Sequence, residues 1–205
     1  FELIDYRAVL DYLKQRPDKD PRGIGLFGFS KGASAALTVA ADDAFVRCFV
    51  VDGAFSHYTT MVPYMTQWVS IYTTFKWSGK LIPDWYLRIA AGMGLRRIEE
   101  LRHCKYVPLE NHMAKLAPRP LFMIHGGGDT YIKPNMAQAL FDLAKMPKEL
   151  WIVDKAKHNQ AFHLATDEYK RRVLAFFDQH LGGIPPHAAN GVHVKENEAK
   201  EQSAV

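Results

Sequence analysis

The sequence predicts an α/β fold, a mostly parallel sheet flanked by helices with a helical insertion between two of its strands. Three observations predict it. Short apolar runs of strand length alternate with segments of helical period. One of those runs passes through a Gly-flanked serine turn straight into an alanine-rich helix pattern. In addition, 48% of the 205 residues are apolar, enough for one core of ordinary domain size.

Leu3, Ile4, Tyr6, Val9, Leu10 and Leu13 recur at helical spacing until Arg16-Pro17, so residues 2–15 read as one amphipathic helix. After a polar loop, residues 23–29 form a short apolar run of the kind that builds a strand covered on both faces. Residues 33–41, rich in alanine, then favour helix. A second apolar run, 45–51, ends in Asp52-Gly53 and reads as the next parallel strand. Residues 118–125 give a third strand running into Gly126-Gly127-Gly128, and 149–153 a fourth. Helical patterns at 136–145 and 167–181 lie between and after these.

About sixty residues separate the second and third strands, far more than a strand-helix-strand crossover needs. This insertion, roughly 56–116, carries Trp68, Trp77, Trp85, Tyr58, Tyr64, Tyr72, Phe75 and Tyr86 and reads as a helical cap. Residues 56–117 hold eight Lys/Arg against four Asp/Glu. An aromatic, basic cap suits an apolar acyl or aryl group with an acidic portion; alternatively, the aromatics pack the cap onto the sheet. A single domain is thus expected over 1–183. Residues 184–205, poor in large apolar groups, are expected to form a mobile tail.

Several classes are disfavoured. The surplus of 26 basic over 22 acidic residues is small and scattered, which argues against nucleic acid as a partner. The longest apolar stretches, such as 44–51, fall well short of the roughly 18–20 residues that span a bilayer. Cys48 and Cys104 have no CxxC or Cys-His metal spacing and read as reduced thiols, which mildly favours the cytoplasm. The opening Phe-Glu-Leu-Ile lies within a helical pattern and suggests an incomplete amino terminus, so the sequence does not fix a compartment.

The chemistry centres on Gly28-Phe29-Ser30-Lys31-Gly32. A nucleophilic serine at a strand end must stand clear of the sheet in a strained turn, and its neighbours two residues away must be small. Gly28 and Gly32 occupy those places. The helix that follows aims its first N–H groups at the site, so the Lys31 amide is a candidate oxyanion donor, its side chain pointing to solvent. Asp129 follows the third strand across three glycines, and His158 follows the fourth in Asp154-Lys155-Ala156-Lys157-His158-Asn159. Both therefore belong at the carboxyl edge of the sheet, where Asp129 would orient His158 and His158 would take the proton of Ser30. Asp52, also at a strand end, is an alternative acid. His125 reads as a packing residue beside Asp129, and His57, His103, His112, His163, His180, His187 and His193 lack the strand-end placement.

The order Ser30, Asp129, His158 is that of the α/β-hydrolases. Residues 2–181 resemble that superfamily. The Gly28–Gly32 turn, the segment 117–126 leading to Asp129 and the segment 148–153 leading to His158 are similar to bacterial serine hydrolases of the prolyl-oligopeptidase-like and carboxylesterase type. The resemblance implies an α/β-hydrolase fold of which this chain is the carboxyl-terminal portion, with the first four strands missing. It implies an unpaired edge at the nucleophile strand, an aggregation hazard. The second oxyanion donor would come from an earlier loop, and losing one such donor costs roughly a hundredfold in rate. The function implied is hydrolysis of a carboxylic ester through a Ser-His-Asp triad, with no cofactor and no metal. The expected partner is a small-molecule ester or peptide substrate. A prolyl-oligopeptidase-like peptidase and a non-catalytic binding protein of the same fold are the alternatives.

Overall fold

The computed structural model describes residues 2–72 and 82–182; Phe75, Trp77 and the expected tail at 184–205 lie outside them. The elements run α1 (Glu2–Gln15), β1 (Ile24–Phe29), α2 (Ser30–Ala40), β2 (Val46–Asp52), α3 (His57–Tyr72) and α4 (Asp84–Arg102). They continue with α5 (Glu110–Met113), a 3-10 turn (Ala114–Leu116), β3 (Leu121–Gly126), α6 (Pro134–Asp142), β4 (Lys148–Val153), α7 (Ala161–Leu164) and α8 (Thr166–Leu181). The strands form one parallel sheet in the order β1-β2-β3-β4. All four carboxyl ends therefore reach the same edge.

β2 and β3 are the central strands, and their successive side chains enter opposite cores. Phe49, Val51, Leu121 and Met123 pack beneath α1, α2, α5 and α6 with Leu37, Met113, Leu116 and Leu140. Val50, Phe122 and Ile124 face α7 and α8 with Ala161, Tyr169 and Val173. In α1 the stripe that packs inward is Leu3, Tyr6 and Leu10, whereas Ile4 and Val9 remain exposed.

Three expectations are corrected. β1 is not covered on both faces: the Phe27 and Phe29 rings meet at a tilt with centroids 4.8 Å apart and stay 46% and 45% exposed. The cause is position, since β1 pairs only with β2 among the described strands, and α8 reaches it through Tyr169, Phe177 and Leu181 without covering Phe27 and Phe29. The helix expected at 136–145 starts at Pro134 and stops at Asp142. Proline suits a first helical position because its fixed φ and missing N–H fit there, and the chain turns at Leu143 and Ala144 before Pro147. Finally, Trp68, Tyr72, Trp85 and Tyr86 do not pack the insertion onto the sheet, because all four are exposed.

One side chain knits the far end of the sheet together. Arg119, just ahead of β3, donates to the carbonyls of Ala40, Asp43 and Val46 at 2.8, 2.8 and 3.0 Å and of Ala41 at 2.7 Å. It also donates to Leu116 at 3.1 Å, and its guanidinium lies 4.9 Å over the Phe49 ring. Three of those carbonyls belong to the end of α2 and the loop behind it, where helix acceptors lack intrahelical donors. Arg119→Met is expected to destabilise by about 2–3 kcal/mol, since hydrogen bonds to a charged group are worth about that when broken. Urea unfolding followed by circular dichroism measures it, and a loss below about 0.5 kcal/mol would refute the bridging role.

Candidate active site

Three loops at the carboxyl edge converge on one point. β1 ends at Phe29, and Ser30 turns immediately into α2 with φ +49°, a left-handed conformation that costs a non-glycine residue energy and holds its side chain clear of the sheet. The crowding around the turn has two sources. A Cβ on Gly28 would meet the Ala33 backbone at 2.9 Å, as the close strand-helix packing requires. A Cβ on Gly32 would instead meet only the Tyr6 hydroxyl of α1 at 3.0 Å. Lys31 sits in the first turn of α2, where helix amides have no intrahelical acceptor. Its side chain is exposed, as expected, and pairs with Glu2 at 2.5 Å.

Asp129 and His158 lie where the sequence places them, and the structure brings both to Ser30. Ser30 Oγ is 2.8 Å from His158 Nε2, and His158 Nδ1 is 2.6 Å from Asp129 Oδ2. Since a carboxylate only accepts, Nδ1 carries the proton and Nε2 offers its lone pair to the Ser30 hydroxyl. The Asp129 side chain is wholly buried. Its other oxygen accepts the N–H groups of Tyr131 and Ile132 at 2.8 and 2.9 Å, so the buried charge is held by three donors. His158 is only one-fifth exposed, and the Tyr131 ring stands edge-on to it at 6.4 Å.

The other candidates separate cleanly. His125 is fully buried beside Asp129, donating from Nε2 to the Ile132 carbonyl at 2.7 Å, and burial lowers its pKa. This is the packing role expected of it. His163 lies against the Phe162 ring at the surface. Asp52 accepts from Tyr169 Oη of α8 at 3.0 Å, not from His158, and its Oδ1 has no partner. Tyr169 is 117 positions away in the chain, so no local pattern pairs the two.

Asp52 has a consequence for stability. Burial, with the charge of Asp129, pushes its carboxyl up to about 6 against the opposing pull of Tyr169 and His158. Below the unfolded value of 3.8 both states hold the proton and the group contributes nothing. From there to about 6 the unfolded chain releases the proton first, so stability falls as pH rises. Asp52→Asn removes this titration. Between pH 4 and pH 7 its stability relative to the unsubstituted chain is expected to improve by about 2–3 kcal/mol, measured by urea midpoints at both pH values. A pH-independent difference would refute it.

The insertion is fastened to this edge at two places. Glu110 accepts the N–H groups of Tyr58 and Thr59 at 2.8 and 2.9 Å and the Ser56 hydroxyl, closing the start of α3 onto α5. Tyr64 of α3 donates to the carbonyls of Thr130 and Tyr131, and Lys133 to Gln67 at 2.9 Å. α3 thus rests on the loop that begins at Asp129. Among the described residues, no group of three or more His, Cys, Asp or Glu is placed to hold a metal ion, and no helix is long and apolar enough to cross a membrane.

Residues 2–183 match the model of the prolyl oligopeptidase family. The chain belongs to that family. This family member is 27% identical to the uncharacterized protein YfhR of Escherichia coli K12 over 177 residues, covering 85% of the chain and 52% of YfhR. To the uncharacterized protein YqkD of Bacillus subtilis it is 25% identical over 183 residues, covering 87% and 55%. The chain therefore spans about half the length of the curated relatives it matches. Its fold is that of the α/β-hydrolases. It superposes on the α/β hydrolase GrgF of Penicillium (TM-score 0.63, 18% identity, 88% of this chain and 72% of that one). It likewise superposes on the Pyrococcus furiosus esterase Pf2001 (TM-score 0.60, 22% identity, 88% and 62%).

Proposed function

We propose that this chain carries the catalytic centre of a serine hydrolase that cleaves carboxylic esters through a covalent acyl-enzyme. The observation that carries the reading is the continuous path from Asp129 through His158 to Ser30, with bonds of 2.6 and 2.8 Å ending on a serine held at φ +49°. Ser30 Oγ attacks the ester carbonyl as His158 Nε2 takes its proton, and Asp129 stabilises the imidazolium. The Lys31 N–H donates to the oxyanion of the tetrahedral intermediate. When that intermediate collapses, the alcohol leaves with the proton from His158. Water then attacks the acyl-Ser30 ester with His158 as base, and Ser30 regains its proton as the acid departs. No cofactor enters any step.

Esters are favoured over peptides because solved proteins sharing this fold include several described as esterases, such as Pf2001. The family's own name supports the peptidase alternative. A fluorophosphonate probe followed by peptide mapping tests the nucleophile, and turnover of p-nitrophenyl acyl esters against prolyl p-nitroanilides tests the substrate. An adduct on Ser30 with ester turnover is expected. An adduct elsewhere would remove Ser30 from the mechanism, anilide turnover alone would replace the esterase by a peptidase, and an unreactive chain would favour the binding protein.

A further inference from the structure

Between the start of α3, the second half of α4 and the segment after it lies a cleft of about 170 Å³. Its lining includes His57, Leu95, Arg96, Glu99, Lys105 and Tyr106. Hydrogen bonds fix its place relative to the nucleophile. Ser34, one turn along α2 from Ser30, donates to the Phe55 carbonyl at 2.7 Å and accepts the Phe55 N–H at 3.1 Å. His57 follows two residues later, its ring edge-on to Tyr106 at 4.8 Å. Burial holds the His57 imidazole below its usual pKa; the Lys31 charge acts in the same direction and Glu110 against it. The cleft thus lies beside the first turn of α2, within electrostatic range of the residue whose amide faces the oxyanion.

The charge lining the cleft is unbalanced. Outside the lining, Lys31 and Arg97 have carboxylate partners, at Glu2 and Glu100, with separations of 2.5 and 3.1 Å. Arg96 and Lys105 have none among the described residues. Glu99, the one acid in the lining, accepts the Tyr106 N–H at 2.6 Å, so one of its oxygens is already engaged. The walls are mixed: Leu95 is buried and Gly92 has no side chain to fill the space near Tyr58, while His57, Tyr58, Glu99 and Tyr106 bring polar groups to the lining. A slot of mixed polarity with two unpaired cations in its lining suits a short segment ending in an anion.

We propose that this cleft receives the anionic end of the acyl chain, so that the preferred substrates are esters carrying a carboxylate a few carbons from the scissile carbonyl. The proposal rests on the serine-hydrolase reading of Ser30. Two measurements separate the two claims. The first compares kcat/KM for mono-p-nitrophenyl glutarate and the neutral p-nitrophenyl valerate. The unsubstituted chain is expected to prefer the glutarate, and Arg96→Gln with Lys105→Gln to lower the glutarate-to-valerate ratio about tenfold while valerate turnover stays within twofold. Added salt should compress the preference, because partly exposed charge contacts are screened.

The second is calorimetric binding of monomethyl glutarate to Ser30→Ala, with and without the two cleft substitutions; binding that depends on Arg96 and Lys105 supports the site whatever Ser30 does. Fluorophosphonate labelling of Ser30 with no glutarate preference and no Arg96/Lys105-dependent binding would overturn the cleft proposal and leave the nucleophile intact. Binding that needs both cations in a chain the probe does not label would retain the anion site and remove the serine chemistry.

Discussion

Replacing Ser30 by alanine is expected to abolish fluorophosphonate labelling and to lower ester turnover about ten-thousand-fold or more, because nucleophile and base act as one unit. His158→Ala should cost about as much, and the double variant no more than either single one. Asp129→Asn is the sharper test. The Tyr131 and Ile132 amides already donate to Oδ1 of residue 129, so an asparagine oxygen would take that place and its NH2 would face His158. Nδ1 must then accept, which leaves the proton on Nε2, where it cannot receive one from Ser30. A loss of about ten-thousand-fold in kcat with the fold unchanged is the expected outcome. Near-normal turnover in Asp129→Asn would show that another group orients His158.

The second large effect is expected at Gly126, the last residue of β3. A Cβ there would lie 2.3 Å from the Ala156 carbonyl oxygen and 2.7 Å from that of Lys157. Both are backbone atoms of the loop that delivers His158, so the methyl fits only if that loop moves. Gly126→Ala is expected to destabilise by about 3–4 kcal/mol, at the upper end for overpacking. A base displaced by about an ångström costs roughly a hundredfold in rate, so activity should fall further than the unfolded fraction explains. Gly94→Ala in α4 is the control: nothing lies within 4 Å of the added methyl, and helix propensity predicts a gain of about 0.5–1 kcal/mol. Urea unfolding and kcat on the folded fraction measure both. A Gly126→Ala chain as stable and active as its parent would refute the close approach.

The strands and the Ser30-Asp129-His158 convergence were legible because each depends on short-range signals. Apolar runs mark buried strands, and in a parallel sheet every strand delivers its last residues to one edge. Once four strands were placed, three candidate residues at three strand ends had to be neighbours. What was not legible depends on partners far apart in sequence. Nothing around Asp52 announces Tyr169, and nothing around Arg119 announces the carbonyls of Ala40, Ala41 and Val46. The exposure of Phe27 and Phe29 was missed because an apolar run reads alike in central and edge strands. The aromatic residues of α3 and α4 were ambiguous for a related reason: composition measures apolar content and carries no direction.

The Glu110 clasp bears on how such a chain can change. One carboxylate joins the point where the chain leaves the sheet, at Ser56–Thr59, to the point where it comes back, at α5. Lengthening a segment whose ends are already pinned adds only about 0.6 kcal/mol per doubling. The chain between residues 60 and 109 can thus lengthen at small entropic cost, provided that Tyr64 and Gln67 keep α3 seated on the loop that follows Asp129. Length can then vary within the insertion while its two pinned ends and the seat of α3 keep their places.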